Sequence, residues 1–172
     1  SIVRGNALQT IIRPAYAASV VSVYANGLTA YYDPTTGASL QTLLKGFTIA
    51  SSLIGDPALG FTNENSIGMV IDNATLRVQD NYFINSGLGV YATTSSTGYG
   101  TSSLVNNGFI GNTKGVYLND AGGTPADSTT YLVNNTFAYN TYGLWAQNSA
   151  TTGSNQGYLA NNIFWQNHDQ TA

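Results

Sequence analysis

The chain is 172 residues long, enough for one hydrophobic core, and no shift in composition or run of charge marks a second domain, so residues 1–172 read as a single unit. Charged residues make up only 8%, with 5 Lys and Arg against 8 Asp and Glu and a net charge of −3, which leaves no basic patch to neutralise a phosphate backbone and argues against nucleic acid as a partner. Cysteine is absent, excluding disulfides and thiolate metal sites, and no apolar run has the length of a membrane-spanning helix.

The first segment, SIVRGNALQTIIRP, sets short aliphatic pairs around a Gly-Asn turn and stops at Pro14. A similar phrase, LLKGFTIA, returns from Leu43 to Ala50 and aligns Gly5 with Gly46 and Leu8 with Ile49. Between them lie VVSVYANG and AYYDPTTG, strand-like runs closed by Asn-Gly and Pro-Thr-Thr-Gly turn signals. The tract that follows, SSLIGDPALGFTNENS, reads as a surface loop from its Gly-Asp-Pro and Asn-Glu-Asn content. Residues 1–70 thus read as irregular coils with insertions and 71–172 as regular ones.

From Gly68 onward the chain repeats itself. RVQDNYFINSGLGVYA (Arg77 to Ala92) is followed by SLVNNGFIGNTKGVYL (Ser103 to Leu118), TYLVNNTFAYNTYGLWA (Thr130 to Ala146) and YLANNIFWQNH (Tyr158 to His168). The shared pattern is an aliphatic residue, a polar pair ending in Asn, one variable residue, Phe, then Asn or Ser, and later Gly, an aliphatic and an aromatic. The equivalent residues Asn81, Asn107, Asn135 and Asn162 are separated by 26, 28 and 27 positions. Each copy divides into three short strands, and the tracts TTSSTGYGTSS, NDAGGTPADSTT and QNSATTGSNQG all follow the same strand, so they should stack on one side. A period of this length, with β-branched and aromatic enrichment and turn residues at fixed offsets, predicts an all-β parallel solenoid. Its six or so rungs, at about 4.8 Å each, would make a column of about 30 Å.

The NNxFxxNxxGVY repeat, with its GNAL and GFTI forms upstream, resembles the right-handed parallel β-helix repeats of the pectin-lyase-like superfamily over essentially the whole chain. The resemblance implies a right-handed parallel β-helix. It leaves activity open, because that superfamily includes polysaccharide lyases, glycoside hydrolases, epimerases, phage tailspikes and surface adhesins. It also puts Asn81, Asn107, Asn135 and Asn162 at the tight turn where such folds carry an asparagine ladder. Asn suits that place physically, since it tolerates left-handed backbone geometry and its amide can donate to one rung while accepting from another. These four therefore read as scaffold. Phe83, Phe109, Phe137 and Phe164 should face inward, beside the columns Val78, Leu104, Leu132, Leu159 and Val90, Val116, Leu144.

Period-two alternation then turns Tyr91, Tyr117 and Trp145 outward on successive rungs, where flat rings can stack on sugar faces. The plainer reading is that they cover one another and the strand surface. Asn119, Asp120 and Gln147 beside them, with Asp127 and Asn148, offer hydrogen bonds to hydroxyls. A hydrolase needs carboxylates brought close together, and the regular rungs give no such row: Asp80 has Asn in its place on the next three. Lys114, Arg77 and Lys45 lie in no motif that marks a lyase base. His168 and Asp169 sit too near the C-terminus to read as a catalytic pair. No cofactor is expected; Asp33, Asp56, Glu64 and Asp72 surround the early insertion and could take calcium in an arrangement the sequence does not specify.

The segments SIVRGN and NNIFWQNHDQTA both read as rungs, so the column is expected to be a segment of a longer helix whose uncovered edges meet further rungs or another chain. The expected role is a non-catalytic β-helix, extracellular, cell-surface or periplasmic, acting as a stalk or glycan-binding module with polysaccharide as partner. A polysaccharide lyase, glycoside hydrolase or epimerase is one alternative. A structural fibre or phage-appendage segment is another.

Overall fold

Runs of β-branched and aromatic residues favour strands, but an Asn, Asp, Gly or other residue at positive φ interrupts them every few positions, so each strand is short and the chain must coil. The computed structural model describes residues 2–4, 11–12, 23–26, 31–32, 39–40, 42–50, 66–93, 100–120, 127–148 and 154–171. The first coil comprises β1 (Ile2–Arg4), β2 (Ile11–Ile12) and β3 (Val23–Asn26), followed by an antiparallel pair outside the column, β4 (Tyr31–Tyr32) with β5 (Ser39–Leu40). The second coil is β6 (Thr42–Lys45), β7 (Thr48–Ile49) and β8 (Ile67–Asp72), and the third β9 (Leu76–Gln79), β10 (Tyr82–Ile84) and β11 (Leu88–Thr93). The fourth is β12 (Gly100–Val105), β13 (Gly108–Ile110) and β14 (Lys114–Asp120); the fifth β15 (Asp127–Val133), β16 (Thr136–Ala138) and β17 (Tyr142–Asn148). The sixth is β18 (Ser154–Ala160), β19 (Ile163–Trp165) and β20 (Asp169–Thr171).

The first strands of all coils form one 6-stranded parallel sheet, the second strands another and the third strands a third. Among the described residues this is an all-β parallel β-helix of six coils. The connections leaving β11, β14 and β17 all link the third sheet to the first. They are shorter than the sequence suggested, because β12 already begins at Gly100, β15 at Asp127 and β18 at Ser154. The insertion at 51–65 lies outside the described residues.

One expected alignment is corrected. Gly5 and Leu8 lie outside the described residues, but Arg4 pairs with Lys45 and the partner of Ile49 is Ile12. The link from β1 to β2 is longer than the link from β6 to β7, so one spacing does not fit both phrases.

The Phe column is the spine of the core. Phe83, Phe109 and Phe137 are fully buried, and the rings stack with Phe164 at 5.2, 4.9 and 4.6 Å between centroids, within 10° of parallel. Val78, Leu104 and Leu132 line the first sheet and Val90 and Val116 the third, all at 0% exposure. At the sixth coil the equivalent Leu159 is 50% exposed and Phe164 is half-buried. Burial on each coil is therefore supplied by the coils above and below it.

Candidate functional site

The outward side chains are positioned by what happens at the turns. Asn81, Asn107, Asn135 and Asn162 form a ladder: each backbone N–H donates to the Oδ1 of the next member, at 3.0, 2.9 and 2.9 Å. Each Nδ2 also donates to a carbonyl of the preceding coil, Asn107 to Val78, Asn135 to Leu104 and Asn162 to Leu132. The positive φ that the sequence reading gave to these residues belongs instead to the residue before each: Asp80 (56°), Asn106 (56°), Asn134 (55°) and Asn161 (54°). The division is physical: the first member of the pair makes the bend, and the second turns its amide inward to satisfy backbone groups that the bend exposes.

A second ladder runs along the turn between the second and third sheets, and the sequence reading missed it. The backbone N–H of Ser86 donates to Asn112, that of Asn112 to Asn140 and that of Asn140 to Asn167, at 3.0, 2.9 and 3.1 Å. The amides of Asn112, Asn140 and Asn167 donate to Phe83, Phe109 and Phe137 carbonyls. The signal was present as the Asn or Ser three places after each Phe. All seven ladder Asn residues other than half-buried Asn162 are buried.

Four of the third-sheet strands, β8, β11, β14 and β17, then enter through a glycine: Gly68, Gly89, Gly115 and Gly143. A Cβ on Gly89 or Gly115 would lie 2.5 Å from the carbonyl oxygen of the glycine one coil on, so the backbones there approach too closely for a side chain. The following residues alternate in and out, which brings Tyr91, Tyr117 and Trp145 into register on the outer face. All three are half-buried. The rings do not form one flat stack. Tyr91 and Tyr117 lie 5.2 Å apart with planes tilted by 39°, while Trp145 meets Tyr142 edge-on at 4.7 Å. Lys114 Nζ lies over both Tyr117 and Trp145, 5.1 and 5.2 Å from the ring centres.

The polar residues beside the column repeat one diagonal contact. Asn119 Nδ2 donates to the Tyr91 hydroxyl at 2.7 Å, and the Tyr117 hydroxyl donates to Gln147 Oε1 at 2.8 Å. Each tyrosine is thus held by an amide on the next coil. Asp120 pairs with Asn148 in the backbone ladder, but the side chains of both, and that of Asp127, lie outside the described residues. This arrangement combines apolar ring faces, a cation and amides at fixed spacing. Ring faces of this kind can pack on apolar C–H surfaces, and the amides can bond hydroxyls.

The acidic residues are dispersed. Asp33, Asp56 and Glu64 lie outside the described residues, and Asp72 is 3% exposed at the end of β8. Among the described residues no three His, Cys, Asp or Glu side chains gather into a metal-binding group. His168 is exposed, and the side chain of Asp169 lies outside the described residues. Asp80 pairs with Lys45 at 2.9 Å and accepts from Asn106 at 2.7 Å and Gln79 at 3.0 Å. Burial pushes its carboxyl up, but the hydrogen bonds from Asn106, Lys45 and Gln79, with the charge of Lys45, outweigh it and hold the pKa below the ordinary value. Comparison with protein-family models, with curated proteins and with solved structures gives no match.

Proposed function

We propose that this chain is a rigid, non-catalytic β-helix that binds glycans along its third sheet, as an extracellular or cell-surface module akin to the pectin-lyase-like superfamily. The observation that carries the reading is the in-register column Tyr91, Tyr117, Trp145, with Lys114 over two of its rings and amides from Asn119 and Gln147 at its edge. Sugar rings have apolar C–H faces and hydroxyl rims, and this surface offers a complement to both. The two ladders support the stalk aspect, because the second to sixth coils are tied to one another by side-chain amides in addition to the sheet bonds.

Retention of the chain on immobilised polysaccharides tests the reading. Trp145→Ala is expected to weaken retention while circular dichroism and melting stay close to wild type. Equal retention of the two proteins on every polysaccharide would count against it.

A further inference from the structure

We propose that a second glycan subsite, selective for neutral sugars, lies on the outer face of the second sheet in a groove of about 500 Å³ lined by Asp80, Tyr82, Asn106, Gly108, Ile110 and Thr136. It is separate from the Tyr91, Tyr117 and Trp145 column and shares with it the reading that the chain binds glycans.

The floor is a tyrosine laid over a glycine. Tyr82 stands opposite Gly108 in the parallel ladder, and a Cβ on Gly108 would come 2.5 Å from Tyr82 Cδ1 and 2.7 Å from Cε1. The missing side chain is what lets the ring lie down on the fourth coil. Phe83 beside it points into the core, so alternation turns Tyr82 outward, and it remains 38% exposed. The ring is a platform open to solvent and not a core residue.

Asp80 and Asn106 line the groove from the turns before β10 and β13, and Thr136 lines it from the coil beyond Gly108. Asp80 accepts at Oδ1 from Asn106 on the fourth coil and at Oδ2 from Lys45 on the second and from Gln79 just before it. A carboxylate oxygen accepts more than one hydrogen bond, so Asp80 can still receive a sugar hydroxyl; Asn106 is exposed, and Thr136 adds a hydroxyl on the fifth coil. A pyranose ring stacked on Tyr82 would place its rim against these groups. The lining spans three coils, two rung steps of about 4.8 Å each, which suits a disaccharide laid along the column axis.

Charge sets the class of sugar. Lys45 balances Asp80 at 2.9 Å, so the groove offers no spare cation to a uronate, and a uronate carboxylate there would face that of Asp80. Neutral hexose or pentose polymers meet no such repulsion.

Mobility of the chain in native gels containing xylan, galactomannan, hydroxyethyl cellulose or polygalacturonate tests the proposal, with Kd read from the dependence on polymer concentration. At least one neutral polymer is expected to retard the wild type more than polygalacturonate does. Tyr82→Thr is expected to weaken that binding about tenfold, an amount equal to about 1.4 kcal/mol, and Tyr82→Phe to leave it unchanged. Thr is the residue found at the same register on the second and fifth coils, Thr48 and Thr136, so the variant retains a side chain this position already accepts. Wild-type affinity in Tyr82→Thr, or stronger retardation by polygalacturonate than by every neutral polymer, overturns the proposal. Loss of binding in Trp145→Ala alongside wild-type affinity in Tyr82→Thr overturns the groove and leaves the third-sheet reading standing. No retardation by any polymer overturns both.

Discussion

Asn107 donates twice to the side-chain oxygen of Asn135, through its backbone N–H at 2.9 Å and its Nδ2 at 3.1 Å. The two residues are 28 positions apart and both are buried. One oxygen therefore satisfies two donors of the coil before it, while the Asn135 amide satisfies the Leu104 carbonyl at 2.8 Å. Stacking converts what would be an orphaned turn into a closed hydrogen-bond circuit.

Truncating the ladder leaves both halves of that circuit open. Asn135→Ala strands the Asn107 N–H and the Leu104 carbonyl, and each buried group without a partner costs about 1–3 kcal/mol. Urea unfolding is expected to show a loss of about 2–6 kcal/mol. Asn134, exposed and at φ 55°, has the opposite profile: Asn134→Gly should change stability by only a few tenths of a kcal/mol, because Gly adopts that geometry freely. A larger loss in Asn134→Gly than in Asn135→Ala would refute the division of labour between bend and ladder.

The glycine at the start of β8, β11, β14 and β17 is a steric requirement. In Gly115→Ala the new methyl would sit 2.5 Å from the Gly143 carbonyl oxygen and 3.0 Å from Phe137 Cδ1. The first of these contacts is with backbone held in a sheet, so relief requires the coils to separate. Overpacking of this kind costs about 1–3 kcal/mol, and the same loss is expected in thermal or urea unfolding. An unaltered midpoint would mean that the coils can part at no cost.

Asp80 makes stability depend on pH in a definite direction. Its folded pKa lies below the unfolded reference of 3.8, so its contribution is fully present above that value and is lost as pH falls through it towards the folded pKa. The Asp80→Asn variant lacks the ionisable group. Between about pH 5 and about pH 3 the melting temperature of the wild type should therefore fall further than that of the variant. Parallel curves would show that the bonds from Asn106, Lys45 and Gln79 do not favour the charged form.

The period, the parallel sheets, the Phe column and the number of coils were legible because every coil solves the same packing problem with the same residues. Where the chemistry was not repeated, reading failed. The alignment of Leu8 with Ile49 broke because linker length is free to vary while register is not. The bend was assigned to the wrong member of each polar pair because both are commonly Asn, and only backbone geometry distinguishes the one at positive φ. The second ladder stayed hidden because Ser86 breaks the run of Asn112, Asn140 and Asn167. The groove at Tyr82 was invisible for a different reason: it depends on Lys45, Asp80, Asn106 and Gly108, which three coils bring together and no single repeat contains.

The third-sheet column separates ring, hydroxyl and cation into three testable parts. Trp145→Ala removes a half-buried ring that meets Tyr142 edge-on and lies beneath Lys114, and stacking of this kind contributes about 0.5–1.5 kcal/mol. Affinity for a retained polysaccharide should drop up to about tenfold. Tyr117→Phe keeps its ring and loses only the bond to Gln147, so its loss should be smaller than that of Trp145→Ala. Lys114→Met keeps the aliphatic cover but not the charge. If rings carry the binding, Lys114→Met retains most of the affinity and binding of the wild type changes little with salt; a steep salt dependence, lost in Lys114→Met, would move the role from the rings to the cation.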